Sequence, residues 1–301
     1  MIEFKDRVAI VTGAGRGLGA EHARLLASRG ARVVVNDPGG SVNGIDDGSR
    51  PADEIVAGIV AAGGVAVADY HSVADPGSGE AIVARAVDEY GKVDILVNNA
   101  GILRDRAFHN MALEDIHAVL DVHLRGAFYV TQPAIRVMRE HGYGRIVLTS
   151  SASGMLGNFG QSNYGAAKMA LVGLMNVLKI EGAKYDIKVN TIAPIASTRM
   201  TQELLGEMAG LFDPALVAPA VAYFCSEECQ LTGDLWSVGG GTISRFFIGL
   251  TDGYFKHPDT EGMLAIEDVA ANLDAIRDEV GYLVGESNRD EFTKLAAKLA
   301  G

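Results

Sequence analysis

The sequence predicts an α/β fold, a doubly wound parallel sheet followed by a C-terminal helical extension. Short runs of branched apolar residues alternate with segments of helical periodicity, such as residues 20–28 and 80–90. These runs are short and mainly apolar, without strict alternation of polar and apolar residues, which is typical of strands that are covered on both faces. Repeated strand–helix–strand units require right-handed crossovers and therefore parallel pairing. The predicted strands are Val8–Val11, Ala31–Val35, Val65–Val67, Ile95–Val97, Arg145–Leu148 and Lys188–Ile192.

Two regions depart from this alternation. Pro38–Asp53 is rich in Gly, Asp and Ser and predicts a loop. From about Arg245 onward the strand pattern stops, and Ile266–Val284 and Arg289–Leu299 predict amphipathic helices. We therefore expect an α/β domain over residues 1–244 and a helical extension over 245–301, packed on the same domain or on a partner subunit.

Composition restricts the possible partners and compartments. The 301 residues are 48% hydrophobic and carry a net charge of -12, which argues against nucleic acid and anionic membranes as main partners. The N-terminus shows no secretory leader, and we expect a cytoplasmic protein. The only two cysteines, Cys225 and Cys229, are expected to be reduced structural thiols, with no metal site.

A glycine-rich turn joins the first predicted strand to the first helix. Its sequence is Thr12-Gly13-Ala14-Gly15-Arg16-Gly17-Leu18-Gly19. Glycines at 13, 17 and 19 allow a sharp turn and let a pyrophosphate approach the amides at the helix N-terminus. Asp37 ends the second strand, where an acid can accept hydrogen bonds from ribose hydroxyls. The segment therefore predicts a dinucleotide site.

Two residues of this site point to different dinucleotides. The Asp37 carboxylate repels a 2′-phosphate and favours NAD, whereas the Arg16 guanidinium is able to reach such a phosphate and favours NADP. Because we expect Asp37 to lie against the ribose itself, we predict NAD, with NADP as the alternative.

Three further residues predict acid–base chemistry. Tyr164 and Lys168 lie four residues apart in a helical pattern and therefore share one helix face. A nearby ammonium stabilises phenolate, so that the tyrosine can take the proton of an alcohol while hydride leaves the carbon. Ser151 follows a strand thirteen residues earlier, and its hydroxyl can stabilise charge on the substrate oxygen.

The order and spacing of these motifs resemble those of the short-chain dehydrogenase/reductase family. The motifs are the glycine turn, Asn98-Asn99-Ala100-Gly101, Ser151 and Tyr164-x-x-x-Lys168. The match covers about residues 5 to 242, and it implies a Rossmann-like fold and an NAD(P)-dependent oxidoreductase. The family places an Asn at a helix kink, where it helps to hold a proton-relay water, and His123 stands in that position here. The resemblance also implies that the dinucleotide contacts Ser72, Val73, Asn99, Ala100, Gly101, Tyr164, Lys168, Pro194 and Thr198.

Segments around Asp37, Arg104, His123 and Phe159 resemble a narrower group, the (3R)-hydroxyacyl-CoA dehydrogenase domains of peroxisomal multifunctional enzyme type 2, also called 17β-hydroxysteroid dehydrogenase type 4. This resemblance implies oxidation of a 3-hydroxyacyl-CoA, or of a steroid side-chain CoA thioester, in β-oxidation. It also implies a homodimer or homotetramer.

Coenzyme A carries phosphates, and the candidate cations for them are Arg104, Arg106 and Arg245. Two other functions stay open at this point. One is a dehydrogenase or reductase of free hydroxysteroids or small alcohols, and the other is a non-catalytic nucleotide-binding redox sensor or scaffold.

Overall fold

A computed structural model of the protein describes residues 1–45, 48–199, 201 and 206–300. The chain forms two compact units, Met1–Arg245 and Phe246–Gly301. Whether the second unit packs on the first or on a partner subunit stays a prediction.

The first unit is built on one sheet, and it confirms the predicted fold class. The strands are arranged in the order β3-β2-β1-β4-β5-β6-β7-β8, with parallel pairing from β3 to β7. β1, β4 and β5 are buried over their whole length, and their central residues are mainly branched apolar side chains. The strands are β1 Val8–Thr12, β2 Arg32–Asn36, β3 Val65–Asp69, β4 Ile95–Asn98, β5 Gly144–Thr149, β6 Ile187–Ile195, β7 Leu235–Gly239 and β8 Thr242–Phe246.

Helices connect these strands and supply the outer layers. In the first unit they are α1 Gly17–Ser28, α2 Pro51–Ala61, α3 Ser78–Tyr90, α4 Leu113–Leu120, α5 Gly126–His141, α6 Ala152–Met155, α7 Ser162–Gly182 and α8 Ala218–Cys225. A π-helical segment, Asp121–Arg125, joins α4 to α5. The second unit contains α9 Pro258–Glu261, α10 Ile266–Ala271, α11 Leu273–Arg277 and α12 Asn288–Ala300.

The strand order determines where a ligand can enter. The order reverses between β1 and β4, so that the connections leaving these two strands diverge and open a crevice at the carboxyl edge of the sheet. The glycine turn follows β1 and Asn98–Gly101 follows β4, which brings both predicted nucleotide-binding segments to this crevice.

The structure departs from the sequence prediction in several places. The loop predicted over Pro38–Asp53 ends earlier, because α2 begins at Pro51, a residue favoured in the first turn of a helix. β7 and β8 were missed, because Leu235–Gly239 and Thr242–Phe246 mix polar and apolar residues and lack a branched apolar run. The prediction of one helix over Ile266–Val284 is wrong. Helix ends at Arg277, Gly281 adopts a positive φ of 73°, and Leu283 pairs with Leu250 in an antiparallel bridge.

The stretch Met208–Cys225 is long and apolar enough to cross a membrane by composition. Its last part, α8, instead places Val221 and Phe224 in the core of the first unit. We assign this stretch to the packed α/β unit.

His22 lies in α1 and is 1% exposed, and within the described residues neither of its ring nitrogens has a hydrogen-bond partner. Burial lowers the pKa of His22 to about 3. Between that pH and about 6.5, the unfolded chain binds a proton that the folded chain excludes, so acid favours unfolding.

We expect this histidine to contribute to acid sensitivity. Lowering the pH from 7 to 5 is expected to cost the wild-type protein about 2 kcal/mol of unfolding free energy at this residue. His22→Leu is expected to remove that loss, as measured by urea denaturation at both pH values. Equal pH dependence in the two proteins would contradict the assignment.

Candidate active site

Ser151, Tyr164 and Lys168 meet at the carboxyl end of β5. Ser151 caps the N-terminus of α6, where its Oγ accepts a hydrogen bond of 3.2 Å from the Ser153 amide. Tyr164 and Lys168 occupy the first turns of α7, with the Lys168 Nζ 5.4 Å from the centre of the Tyr164 ring. The Lys168 ammonium donates to the Thr149 carbonyl at 2.5 Å. The structure therefore brings together the three residues that the sequence analysis selected.

Two adjacent serines follow β5, and their environments differ. Ser150 is 1% exposed, and its hydroxyl donates to the Lys168 carbonyl at 2.7 Å. Ser151 is only half-buried, and its hydroxyl lies 3.3 Å from the Ser153 hydroxyl. Ser150 thus ties β5 to α7, while Ser151 is the serine that is able to reach a substrate.

Close packing of α6 on α7 produces this arrangement. A Cβ at Gly154 would lie 2.8 Å from the Met169 amide nitrogen, and a Cβ at Gly165 would lie 2.9 Å from the Ser153 carbonyl oxygen. Real Cβ atoms do not approach backbone this closely, so only glycine permits the contact. These two glycines set how near Ser151 comes to the start of α7.

Burial governs protonation at the site. Desolvation raises the pKa of Tyr164, and a hydrogen bond from Ser151 opposes that shift. Desolvation lowers the pKa of the Lys168 ammonium to about 7. Both positions therefore favour an uncharged side chain.

The sequence analysis missed Asn163, which is 3% exposed. Its Nδ2 donates to the carbonyls of Arg104 at 3.1 Å and Asp115 at 3.3 Å, and its Oδ1 accepts from the Tyr164 amide at 2.7 Å. Asn163 therefore anchors the first turn of α7 to the segments after β4. Its position directly before the tyrosine was the available signal.

His123 lies in the π-helical segment and is 4% exposed. Its Nε2 lies 2.8 Å from the Ile102 carbonyl oxygen and 3.1 Å from the Ile102 amide nitrogen. The ring meets Tyr164 edge-on, with the ring centres 5.0 Å apart. A Cβ at Gly101 would lie 2.4 Å from this ring, so the glycine makes room for the imidazole. Burial, together with the nearby Lys168 charge, lowers the pKa of His123 well below its usual value, so the residue is neutral.

The glycine turn has the shape of a dinucleotide cradle. Gly13 and Gly17 have positive φ of 62° and 53°, a conformation that favours glycine. A Cβ at Gly19 would lie 2.3 Å from the Gly13 carbonyl oxygen. α1 begins at Gly17 and directs its free amides into the crevice, while the side chain of Leu18 packs against the core.

The segment after β4 is tied to this turn. The Thr12 hydroxyl accepts from the amides of Asn99 at 3.0 Å and Ala100 at 3.1 Å. The Asn99 side chain donates to the carbonyls of Thr12 and Gly13, both at 3.1 Å. Gly13 packs on Ala100, where a Cβ would come within 2.7 Å of the Ala100 Cα. These contacts hold the two sides of the crevice together, and the cradle fits a dinucleotide.

Asp37 and Arg16 have separate partners. The Asp37 carboxylate accepts from the amides of Gly15 at 2.9 Å and Gly39 at 2.8 Å. The Arg16 guanidinium donates to the Gly40 carbonyl at 3.3 Å and to the Ser49 hydroxyl at 3.2 Å. The carboxylate is thus held beside the turn, and the arginine is directed to the loop after β2.

The other predicted cofactor contacts lie around the same crevice. Ser72 Oγ accepts from the Ala74 amide at 3.3 Å, and Val73 is 6% exposed. Pro194 lies near the end of β6. Thr198 faces Gly17, with its Cγ2 3.4 Å from where a Cβ would be. The contacts that each makes with a cofactor stay predictions.

The three candidate cations for coenzyme A are in different surroundings. Arg104 donates to the Asn43 carbonyl at 3.2 Å and pairs with Asp115 at 3.5 Å. Arg245 pairs with Asp234 at 3.3 Å, and Arg106 is exposed. Arg104 and Arg245 thus have acidic partners inside the first unit.

Comparisons with known proteins agree with this geometry. Residues 7–208 match the family model described as short chain dehydrogenase. The chain is 50% identical over 279 residues to a short-chain type dehydrogenase/reductase of Mycobacterium tuberculosis, covering 92% of this chain and 96% of that one. It is also 39% identical over 258 residues to a hydroxyacyl-CoA dehydrogenase of the same organism, covering 80% of each.

Among solved structures, full-length peroxisomal multifunctional enzyme type 2 of Drosophila melanogaster superposes with a TM-score of 0.83 at 38% identity. The match covers 99% of this chain and 50% of that enzyme, so this chain spans half of its length. The predicted resemblance is confirmed by these findings. The chain belongs to the short-chain dehydrogenase family.

Proposed function

We propose that the protein oxidises a 3-hydroxyacyl-CoA to the 3-ketoacyl-CoA with NAD. The observation that carries the reaction type is the grouping of Ser151, Tyr164 and Lys168 beside the glycine cradle. The thioester class is supported by similarity to a relative named hydroxyacyl-CoA dehydrogenase. The likeness to multifunctional enzyme type 2 supports the same class.

The proposed proton transfer uses the chain's own side chains. Tyr164, as the phenolate, takes the proton of the substrate 3-hydroxyl as hydride leaves the carbon that bears this hydroxyl, and the Ser151 hydroxyl donates to the substrate oxygen. A protonated Lys168 stabilises the tyrosine oxygen before the transfer. NAD supplies the hydride acceptor when it is bound. In the reverse direction, Tyr164 returns the proton to the keto oxygen.

NAD is proposed over NADP because of the partners of Asp37 and Arg16. A 2′-phosphate on the adenine ribose would meet the Asp37 carboxylate, which two amides hold in place. The Arg16 guanidinium already has protein partners, the Gly40 carbonyl and the Ser49 hydroxyl of the loop after β2. Both features favour a free ribose hydroxyl.

Changing the charge at position 37 tests this assignment. Asp37→Asn retains an oxygen that accepts hydrogen bonds but removes the repulsion. We expect kcat/KM for NADP to rise roughly tenfold and kcat/KM for NAD to fall, because a charge contact with phosphate is worth about 1 kcal/mol or more. Arg16→Met serves as the second variant. If it abolished NADP use while leaving NAD use unchanged, the arginine would be a phosphate ligand and the assignment would be wrong.

The substrate is tested by following NADH absorbance with purified protein. Both enantiomers of a medium-chain 3-hydroxyacyl-CoA are compared with a free hydroxysteroid under the same conditions. NAD-linked turnover of a thioester enantiomer at a kcat/KM above that of the steroid is the expected result. Turnover of the steroid alone would reject the thioester class and retain the dehydrogenase chemistry.

A further inference from the structure

The segment 38–45, which follows β2, makes contacts far from its own strand. The Leu103 amide donates to the Val42 carbonyl at 3.2 Å, and the Arg104 Nε donates to the Asn43 carbonyl at 3.2 Å. Gly44 packs on Ile102, whose Cγ2 lies 3.2 Å from where a Cβ at Gly44 would be. The tip of this segment thus rests on the residues that follow β4.

The sheet order defines the path of this segment. β1 lies between β2 and β4, so residues that follow β2 and touch residues that follow β4 must pass the carboxyl end of β1. The glycine turn occupies that end. We call residues 38–45 the strap, because they cross the crevice in which the dinucleotide cradle lies.

Arginines from two other segments hold the base of the strap. Arg16 of the glycine turn and Arg199, which follows β6, both donate to the Gly40 carbonyl, at 3.3 and 3.5 Å. Most of the contacts that hold the strap are 3.2 to 3.5 Å long, the outer part of the hydrogen-bonding range. Each such bond contributes about 1 kcal/mol or less, so the strap is able to open without unfolding of the sheet.

We propose that the strap is a clamp over the adenosine half of the dinucleotide, and that its opening limits NADH release. Arg104 is the positioning residue that holds the tip in the closed arrangement. The proposal rests on the dinucleotide-dependent function described above, but it does not depend on which alcohol is the substrate.

A reversible cross-link tests the clamp directly. Positions 42 and 103 are neighbours through a backbone hydrogen bond of 3.2 Å, so a pair of cysteines there is the cross-link to try, and both native cysteines are buried. Val42→Cys/Leu103→Cys is loaded with NADH and then oxidised, and NADH release is followed by stopped-flow fluorescence after mixing with excess NAD. Release is expected to slow at least roughly tenfold on oxidation and to recover with dithiothreitol, because exchange on the millisecond scale needs the strap to move. Equal release rates in the oxidised and reduced protein, with the disulfide confirmed by thiol titration, would overturn the proposal.

A second variant gives an answer if the disulfide does not form. Arg104→Met removes the bond to Asn43 and is expected to speed NADH release about fivefold, the equivalent of one hydrogen bond. Arg136→Met is the matched control, since Arg136 is an exposed arginine of α5 that pairs with Glu80 at 2.7 Å. Release rates that match the wild-type rate in both variants would overturn the clamp. The two proposals are distinguishable. If the variants change NADH release as predicted but the protein turns over no thioester, the substrate assignment is rejected and the clamp is supported.

Discussion

Tyr164→Phe is expected to lower kcat roughly a thousandfold while leaving NADH affinity unchanged. The substitution removes one oxygen atom and retains the ring that packs against His123. Without that oxygen, the proposed proton acceptor is lost, whereas the glycine cradle and Asp37 are untouched. Steady-state turnover and NADH titration by fluorescence measure the two quantities separately.

Tyr143→Phe is the matched control. Tyr143 is also largely buried, and burial raises its pKa to about 12, but it lies beside Arg7 and Arg145 just before β5 begins. Near-normal turnover is expected because this ring is at the opposite end of β5 from Ser151. If Tyr164→Phe retained more than about a tenth of wild-type kcat, Tyr164 would not be the proton acceptor.

Lys168→Met is expected to reduce kcat by about a hundredfold or more and to raise Tm at pH 7. Activity falls because the ammonium that stabilises the tyrosine oxygen is lost. Stability rises because the wild-type protein must bury the Lys168 amine, which is only 3% exposed. The amine has a hydrogen bond to the Thr149 carbonyl at 2.5 Å, whereas methionine has no polar group to bury. A rise in Tm of about 3 °C or more is expected, which corresponds to roughly 1 kcal/mol for a chain of this size.

The pH dependence of this gain follows from the pKa of Lys168, which burial lowers from 10.5 to about 7. Between these values the unfolded chain holds a proton that the folded chain lacks, so this residue makes wild-type stability rise with pH. The stabilisation by methionine is therefore expected to be largest at pH 7 and below, and to decline toward pH 10. Thermal denaturation at several pH values measures it, and a constant difference between the two proteins would contradict the burial effect.

Local patterns in the sequence were sufficient to predict the fold class and to select three residues, Ser151, Tyr164 and Lys168, that the structure places together. Branched apolar runs indicated the strands from β1 to β6, because a strand covered on both faces buries most of its side chains. Tyr164 and Lys168 were identified because four residues make one helical turn, and the glycine turn because only glycine adopts positive φ at low cost. These are properties of neighbouring residues, which a sequence displays directly.

The structure was needed where residues distant in the chain meet. Asn163 acquires its role only when β4 and α7 lie side by side, which brings the Arg104 and Asp115 carbonyls to its amide. The spacing of Asp37 and Arg16 in the sequence also could not predict which groups they bond. Their hydrogen-bond partners depend on how the loop after β2 folds back.

The sequence by itself thus determined the candidate residues of the site, the glycine-rich turn after β1 and the parallel pairing of the first six strands. Only the tertiary structure decided that residues 38–45 cross the crevice, that Ser150 and Ser151 have different partners, and that the helix predicted over Ile266–Val284 is interrupted at Asn272 and ends at Arg277. The physical reason is that the spacing of motifs reflects only which residues are neighbours along the chain and along a helix or strand. The path of residues 38–45, the partners of the two serines and the end of the helix depend instead on contacts between segments that are distant in the chain.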